Sequence, residues 1–459
     1  MGETHLMKTR QTSKLGLIKV VRDLFPEETL KTDYSIHDGV YCELVDSALS
    51  IREVYRIEEA LRQWIQEDQT VTFLEKKDGF CHYQVNDMVV KTIYPAGARP
   101  SDVDPFELVP YAGGFLIDFG GVAYRKDKSL IPPDKLMETY IKTERWLKNI
   151  HLELIEDVND FIRQNRALEL MTMAEALQEK EISDIADQIF LQKRALRVLL
   201  ISGPSSSGKT TFAQRISTQL RVIGLRPVPL SMDDYFVDRI HTPLDEQGNY
   251  DFETLDALDL ALFRDHVKRL IRGEAVESPI FDFVTGSRKK ETKRLQVGPS
   301  EILVIEGIHA LNPHLLPQIN RNLFFRIYVS SLFSLNVDMT NRIPTTEVRL
   351  LRRLVRGELF RGTHPEKTLD QWPNVRKGEF DNVFRYQEEA DVMFNSSLVY
   401  ELNALRPYAE TCLQKISDDS VHAPTRDRLL NLIRFALPVE TDKVAFHSIL
   451  REFIGGGIY

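Results

Sequence analysis

The stretch Arg197-Val198-Leu199-Leu200-Ile201-Ser202-Gly203-Pro204-Ser205-Ser206-Ser207-Gly208-Lys209-Thr210-Thr211 decides the fold. Its first part, through Ile201, is short and apolar, the composition of a strand buried on both faces of a parallel sheet. From Gly203 to Thr210 it satisfies G-x-x-x-x-G-K-[ST] at every fixed position, and Phe212, Ile216 and Leu220 then recur on one helical face. Strand, glycine-bounded loop and helix in that order make a phosphate cradle. The glycines let backbone N–H groups curl around phosphate oxygens, and the helix N-terminus adds a favourable dipole. Gly203, Ser205, Ser206, Ser207, Gly208, Lys209, Thr210 and Thr211 are the candidate cradle residues. Lys209 is expected to reach the β- and γ-phosphates and the Thr210 hydroxyl to hold Mg²⁺, so ATP and Mg²⁺ are the expected cofactors.

Ligands in open α/β sheets gather at the carboxyl ends of strands, so the acceptor of the phosphoryl group is sought at the following strand tips. Arg226 to Ser231 reads as the next strand and runs into Met232-Asp233-Asp234-Tyr235-Phe236. Two carboxylates and an aromatic suit an acceptor site, with Asp233 the preferred base and Tyr235 a substrate contact; the other reading of the pair is a helix cap. Glu301-Ile302-Leu303-Val304-Ile305-Glu306-Gly307 is an apolar strand ending in a carboxylate, and Glu306 is expected to hold Mg²⁺ through water. Arg349, Arg352, Arg353 and Arg356 share one helical face, with Arg361 just beyond. Such a stripe is either solvated charge or a lid that neutralises the transferred phosphate; Arg349, Arg353 and Arg361 are the lid candidates.

Working outward, the chain has 459 residues, enough for two or three domains, with a net charge of −9 that argues against a surface built to grip nucleic acid or an anionic membrane. No run approaches the length of a membrane span, and Met1 to Arg22 never builds the apolar core of a signal peptide. Three cysteines without CxxC spacing make neither a disulfide framework nor a four-cysteine zinc site, so a cytoplasmic setting is expected. Four segments are read. Residues 1–35 are polar and weakly patterned, a tail or peripheral element. Residues 36–134 form a small α+β domain, with a helix opened by the Ser50/Glu53 capping box and carrying Ile51, Val54, Tyr55, Leu61, Trp64 and Ile65 on one face. Residues 135–196, free of Gly and Pro, form a linker of two or three helices, and residues 197–459 the phosphate-binding domain. The fold class is α/β, a mostly parallel sheet flanked by helices.

The P-loop, Ser231-Met232-Asp233-Asp234-Tyr235-Phe236, Asn249-Tyr250-Asp251-Phe252, Pro279-Ile280-Phe281-Asp282-Phe283, the Glu306-Gly307 strand and the arginine helix together resemble the uridine kinase and phosphoribulokinase family, over residues 197 to about 410. The resemblance implies an ATP-dependent kinase for a nucleoside 5′-hydroxyl. It puts Asp233 in the place of the base, Asp251 on ribose hydroxyls, Glu306 beside Mg²⁺, Gln371 near the nucleoside and Arg361 in the lid. Phe281 and Gly286 stand where uridine-cytidine kinases carry a Tyr and a His, and Thr363 where a second lid Arg is expected. The partner implied is a small molecule, with a homo-oligomer allowed and neither membrane nor nucleic acid expected. The alternatives are a same-fold kinase for another alcohol, such as a phosphosugar or pantothenate, and a nucleotide-binding regulatory module. The whole chain resembles bacterial kinases preceded by a threonyl-tRNA-synthetase-like domain, through Glu53 to Asp68, the β-segments after it and Ala112 to Asp118. The synthetase HxxxH is missing; His37, His82 and His151 are isolated, so no editing hydrolysis is expected.

Overall fold

In the computed structural model, residues 3–36, 39–119, 133–245, 248, 250–282 and 285–459 are described. His37, Asn249 and Phe283 lie outside them. The N-terminal part comprises α1 (Glu3–Leu24), β1 (Leu30–Ile36), β2 (Gly39–Leu44), α2 (Ile51–Glu67), β3 (Thr72–Lys77), β4 (Phe80–Val85), β5 (Met88–Thr92), β6 (Glu107–Tyr111) and β7 (Gly114–Asp118). Three helices follow, α3 (Asp134–Asn149), α4 (Ile155–Arg163) and α5 (Ala167–Gln192). The phosphate-binding part opens with β8 (Val198–Ser202), α6 (Lys209–Val222), β9 (Arg226–Ser231) and α7 (Leu260–Ile271). Short strands β10 (Val276–Ser278), β11 (Phe281–Asp282), β12 (Ser287–Arg288) and β13 (Lys293–Leu295) precede β14 (Glu301–Glu306) and β15 (Phe324–Ser330). After the hairpin β16 (Asn336–Asp338) and β17 (Asn341–Arg342) come α8 (Thr345–Phe360), α9 (Pro365–Asn382), β18 (Val392–Asn395), α10 (Glu401–Leu413), α11 (Ala423–Ile433) and α12 (Arg451–Ile454).

The five-stranded sheet has the order β18-β15-β8-β14-β9, and every pair in it is parallel. Both faces are covered, which is why Val198 to Ile201 can be apolar without alternation. One face packs on α6, α8, α10 and α11 through residues such as Leu199, Phe212, Leu354 and Leu405; the other packs on α7 through Leu200, Phe263 and Leu303. The N-terminal part carries two antiparallel sheets, β1-β2-β7-β6 and β3-β4-β5, beneath α1 and α2.

Two expectations change. The first residues are not a tail: α1 buries Leu15, Leu17, Val20 and Val21, and β1 joins the four-stranded sheet. The apolar stripe is masked because small polar residues do the packing. Thr12 and Ser13 are fully buried, Thr12 Oγ1 accepts from Gly97 N at 2.8 Å, and Gly16 lets the helix approach so closely that a Cβ there would lie 2.4 Å from the Trp64 ring. Residues 135–196 are three helices, but they do not merely link. Leu152, Ile155, Val158, Ile182, Ile185 and Ile189 belong to the same core as β8 and α6. The breaks between them use His151 (φ 54°) and Asn165 (φ 58°), left-handed positions made without Gly or Pro. The Ser50/Glu53 capping box is present as read, and Val54, Leu61 and Trp64 face the core, whereas Ile51 and Tyr55 face solvent. Among the described residues no helix is long and apolar enough to cross a membrane.

Candidate active site

At the end of β8 the chain turns through Gly203, where a Cβ would lie 2.0 Å from the Val329 carbonyl oxygen on β15. The turn closes at Gly208, whose φ of +83° suits glycine and whose missing side chain leaves room for Ile449. α6 starts directly afterwards, so its first-turn N–H groups lack intrahelical acceptors.

α8 grips this loop from outside. Arg349 Nε and Nη2 donate to the Ser205 carbonyl at 3.0 and 2.8 Å, and Arg352 Nη1 to the Ser206 carbonyl at 3.3 Å. Both guanidinium groups are buried and ion-paired to buried carboxylates, Arg349 with Glu379 and Arg352 with Glu401. Glu379 also accepts from Ser205 N at 2.9 Å, so that N–H is committed to the protein. The lid role expected of Arg349 is therefore corrected: α8 lies against the loop rather than above it, and Arg349 is a buried clamp on its backbone. Arg353 and Arg356 meet the loop's side chains instead, donating to Ser205 Oγ at 2.6 Å and Ser206 Oγ at 3.2 Å. Arg361, at the exposed C-terminus of α8, feels both Arg356 and Asp233; repulsion from Arg356 is the main cause that pushes it down to about 10.

Parallel register sets Glu306 at the tip of β14 opposite Ser231 at the tip of β9, and Ser231 Oγ donates to Glu306 Oε1 at 2.9 Å. Asp233 follows in the turn after β9, and Lys209 reaches the same place from α6, its Nζ donating to the Pro204 carbonyl at 3.1 Å. Burial and the neighbouring Asp233 push Glu306 up to about 7 despite Lys209. Burial likewise raises Asp233 and lowers Lys209. Two crowded carboxylates that resist ionisation beside the exposed Thr210 are a donor set that a divalent cation would relieve. ATP fits as well: a loop curled by two glycines, a helix N-terminus and a lysine converge on one cleft.

On the acceptor side, Phe281 is buried against Phe236, ring centroids 5.7 Å apart, and Phe236 meets Phe252 at 6.2 Å. Asp234 accepts from Phe281 N at 3.2 Å, positioning that wall rather than the reacting hydroxyl. Tyr235 is corrected: it is fully buried, with its hydroxyl 3.0 Å from His266 Nδ1 and 3.3 Å from Ser278 Oγ, so it supports the turn from the core. The 3₁₀ turn through Met232–Tyr235, with three residues per turn, points Asp233 and Tyr235 about 120° apart, which separates them. Asp251 is half-buried and its Oδ1 accepts from Glu253 N at 3.0 Å. Gln371 is exposed on α9, on the same face as Gly378, which packs against Glu253.

Three residues at the site escaped the sequence reading. Glu253 is pushed by burial up to about 7, and a Cβ at Gly378 would lie 2.1 Å from its own Cβ. A glycine inside α9 was the available signal. Arg239 fills the space beside Gly286, where a Cβ would lie 2.6 Å from its guanidinium carbon. Glu452, from α12, accepts from Thr211 Oγ1 at 3.0 Å and from Arg356 Nη1 at 2.7 Å. It lies 241 positions from Thr211, so no local pattern could announce it.

Residues 198–401 match the model of the phosphoribulokinase / uridine kinase family. A uridine kinase from Halobacterium salinarum is 30% identical over 177 residues, covering 39% of this chain and 69% of that protein. A uridine kinase from Chloroflexus aggregans is 30% identical over 198 residues, covering 43% of this chain and 85% of that protein. Among solved structures, a "possible uridine kinase" from Bacillus stearothermophilus is 21% identical, with a TM-score of 0.34 over 47% of this chain and 98% of that one.

Proposed function

This chain belongs to the phosphoribulokinase / uridine kinase family and is a phosphotransferase with an alcohol acceptor, and from that premise we propose that it transfers the γ-phosphoryl group of ATP to the 5′-hydroxyl of a nucleoside. The observation that carries the reading is the convergence of Lys209, Glu306 and Asp233 at one strand edge, beside the Phe236, Phe252 and Phe281 wall. Flat aromatic faces suit a nucleobase, and a carboxylate next to them suits a hydroxyl.

In this mechanism the loop N–H groups and Lys209 hold the phosphates, and Thr210 and Glu306 hold Mg²⁺, which when bound neutralises charge on the transferred group. Asp233 accepts a hydrogen bond from the acceptor hydroxyl and takes its proton as the bond to phosphorus forms. Burial raises its pKa above the ordinary carboxylate range, which makes it a stronger acceptor for the hydroxyl proton. Arg353 and Arg361 stabilise the charge passing to the leaving phosphate; Arg349 and Arg352 keep the loop in shape. Asp251 orients the sugar and Gln371 faces the nucleoside side. The synthetase-like character of the N-terminal part and a cytoplasmic setting belong to the same proposal; the three cysteines are buried and unpaired, as a reducing compartment allows.

A second reading, a kinase for a phosphorylated sugar, is favoured by one observation: Arg239 beside Gly286 puts a cation where a neutral reader of the base would stand. ADP release against a panel of nucleosides, phosphosugars and pantothenate separates the two. Turnover with nucleosides, abolished in Lys209→Ala, is the expected result, and turnover confined to phosphosugars overturns it. Asp233→Asn is expected to keep ATP binding while phosphoryl transfer drops by about 10³.

A further inference from the structure

The N-terminal part docks on the β16–β17 hairpin: Thr32 N donates to the Met339 carbonyl at 2.9 Å, and Asn336 Nδ2 to the Thr32 carbonyl at 2.8 Å. Beside this junction lies a cavity of about 470 Å³, in the range of sites that enclose small organic ligands. The kinase chemistry above does not use it. Leu17, Val40, Phe119, Tyr140, Leu332 and Phe384 give it an apolar and aromatic wall drawn from both halves of the chain.

Its polar lining is one-sided. Lys14, on α1, donates from Nζ to Asn341 Oδ1 at 2.7 Å, and Arg342, on β17, donates to Ser35 Oγ. Neither forms an ion pair among the described residues, and Arg342 Nε is buried without a hydrogen-bond partner. Tyr94 is 4% exposed, and its hydroxyl is also buried without a partner. The lining carboxylate, Glu347, pairs with Arg428 at 3.3 Å. At the inner end, Arg349 and Arg376 are already satisfied by Glu379. Arg10 stacks on Phe119, 5.0 Å from the ring centroid. Asp338 acts on Lys14 and Asp33 on Arg342 without an ion pair, and a cation held among apolar walls in that way is costly. Burial accordingly pushes the Lys14 ammonium down to about 8.

We propose that this interdomain cavity is a binding site for a small organic anion, its carboxylate or phosphate held by Lys14 and Arg342 with the Tyr94 hydroxyl donating, and its apolar or aromatic body lying against Phe119, Tyr140 and Leu332. Such a ligand supplies the charge that the protein withholds and fills the apolar remainder. Pro204 and Arg349 also line the cavity, so the bound molecule borders the phosphate loop.

The test is calorimetric titration of the full chain, saturated with ADP, with 2-naphthoate and with its neutral analogue 2-naphthylmethanol. The carboxylate is expected to bind at least about 10-fold more tightly than the alcohol, and Lys14→Met to remove that margin. Val40→Trp, which fills the cavity while leaving both cations in place, is expected to abolish binding and to leave the KM for ATP unchanged. It decides the matter even if Lys14→Met fails to fold. Absence of 2-naphthoate binding, equal binding of acid and alcohol, displacement by ADP, or undiminished binding in Val40→Trp overturns the proposal.

Discussion

The nucleotide cleft and the interdomain cavity both border the phosphate loop, the cavity at Pro204, and both collect cations. In the cleft, Lys209, Arg353, Arg356 and Arg361 are matched by Asp233, Glu253, Glu306 and Glu452, and burial, helped by neighbouring carboxylates, pushes Glu253 and Glu306 up to about 7. In the cavity, Lys14 and Arg342 face Asn341 and Ser35, with no carboxylate paired to either among the described residues. The difference teaches what each place is built to receive. A cleft with both signs suits a ligand that brings both, a polyphosphate with its metal ion. A pocket in which Lys14 and Arg342 have no direct carboxylate partner, with apolar walls around them, suits a plain organic anion.

The arginines give the largest effect. Arg361→Ala is expected to lower kcat by about 10³, roughly 4 kcal/mol of barrier, with an unchanged melting temperature, because Arg361 lies at the exposed cleft end of α8. Arg349→Ala strands Glu379 and releases the Ser205 carbonyl, so it is expected to cost about 3 kcal/mol of stability by denaturant titration. If instead the two variants exchange phenotypes, the division of α8 into clamp and lid fails.

A pH series on Glu306 sharpens the account of the cleft. Its folded-state pKa of about 7 lies above the ordinary value of 4.5, so the folded chain binds protons that the unfolded chain releases across that interval. Stability contributed by the protonated form is therefore lost as pH rises from the lower value through the higher one. Glu306→Gln is expected to melt higher than the parent at pH 8 and to converge with it near pH 4, while phosphoryl transfer is nearly lost. A melting difference independent of pH would count against the crowded-carboxylate picture. The smallest effect concerns Glu452, whose carboxylate takes the Thr211 hydroxyl and Arg356. Removing its charge in Glu452→Gln should reduce repulsion toward a triphosphate and lower the KM for ATP by about 3- to 10-fold in steady-state assays.

Much of the cleft was legible because its parts are local. Gly203 to Thr210 declares a loop whose glycines permit a close approach and a left-handed turn, and Asp233 and Glu306 follow apolar runs that had to be strands. The misreadings share a cause. Arg349 and Arg353 are four residues apart on one helical stripe, yet one clamps a carbonyl and the other reaches a hydroxyl, because what a side chain meets depends on the element facing it. Tyr235 looked like an acceptor contact because nothing local revealed that His266 waits behind it. The start of the chain read as a tail or peripheral element because Thr12, Ser13 and Gly16, rather than large apolar residues, let α1 approach Trp64.

By itself, then, the order of residues determined a parallel sheet with a phosphate loop at a strand end, a carboxylate at the end of β14 and another just beyond β9, and a family of alcohol kinases. Those features depend on short-range backbone geometry and on the two-sided burial of central strands, which leave direct traces in spacing and composition. Tertiary structure alone decided which arginine is clamp and which is lid, that α12 brings Glu452 to the loop, and that Lys14, Tyr94 and Arg342 from distant parts of the chain line one enclosed space. These are long-range encounters, set by how whole elements pack, and side chains hundreds of residues apart carry no local signal of meeting.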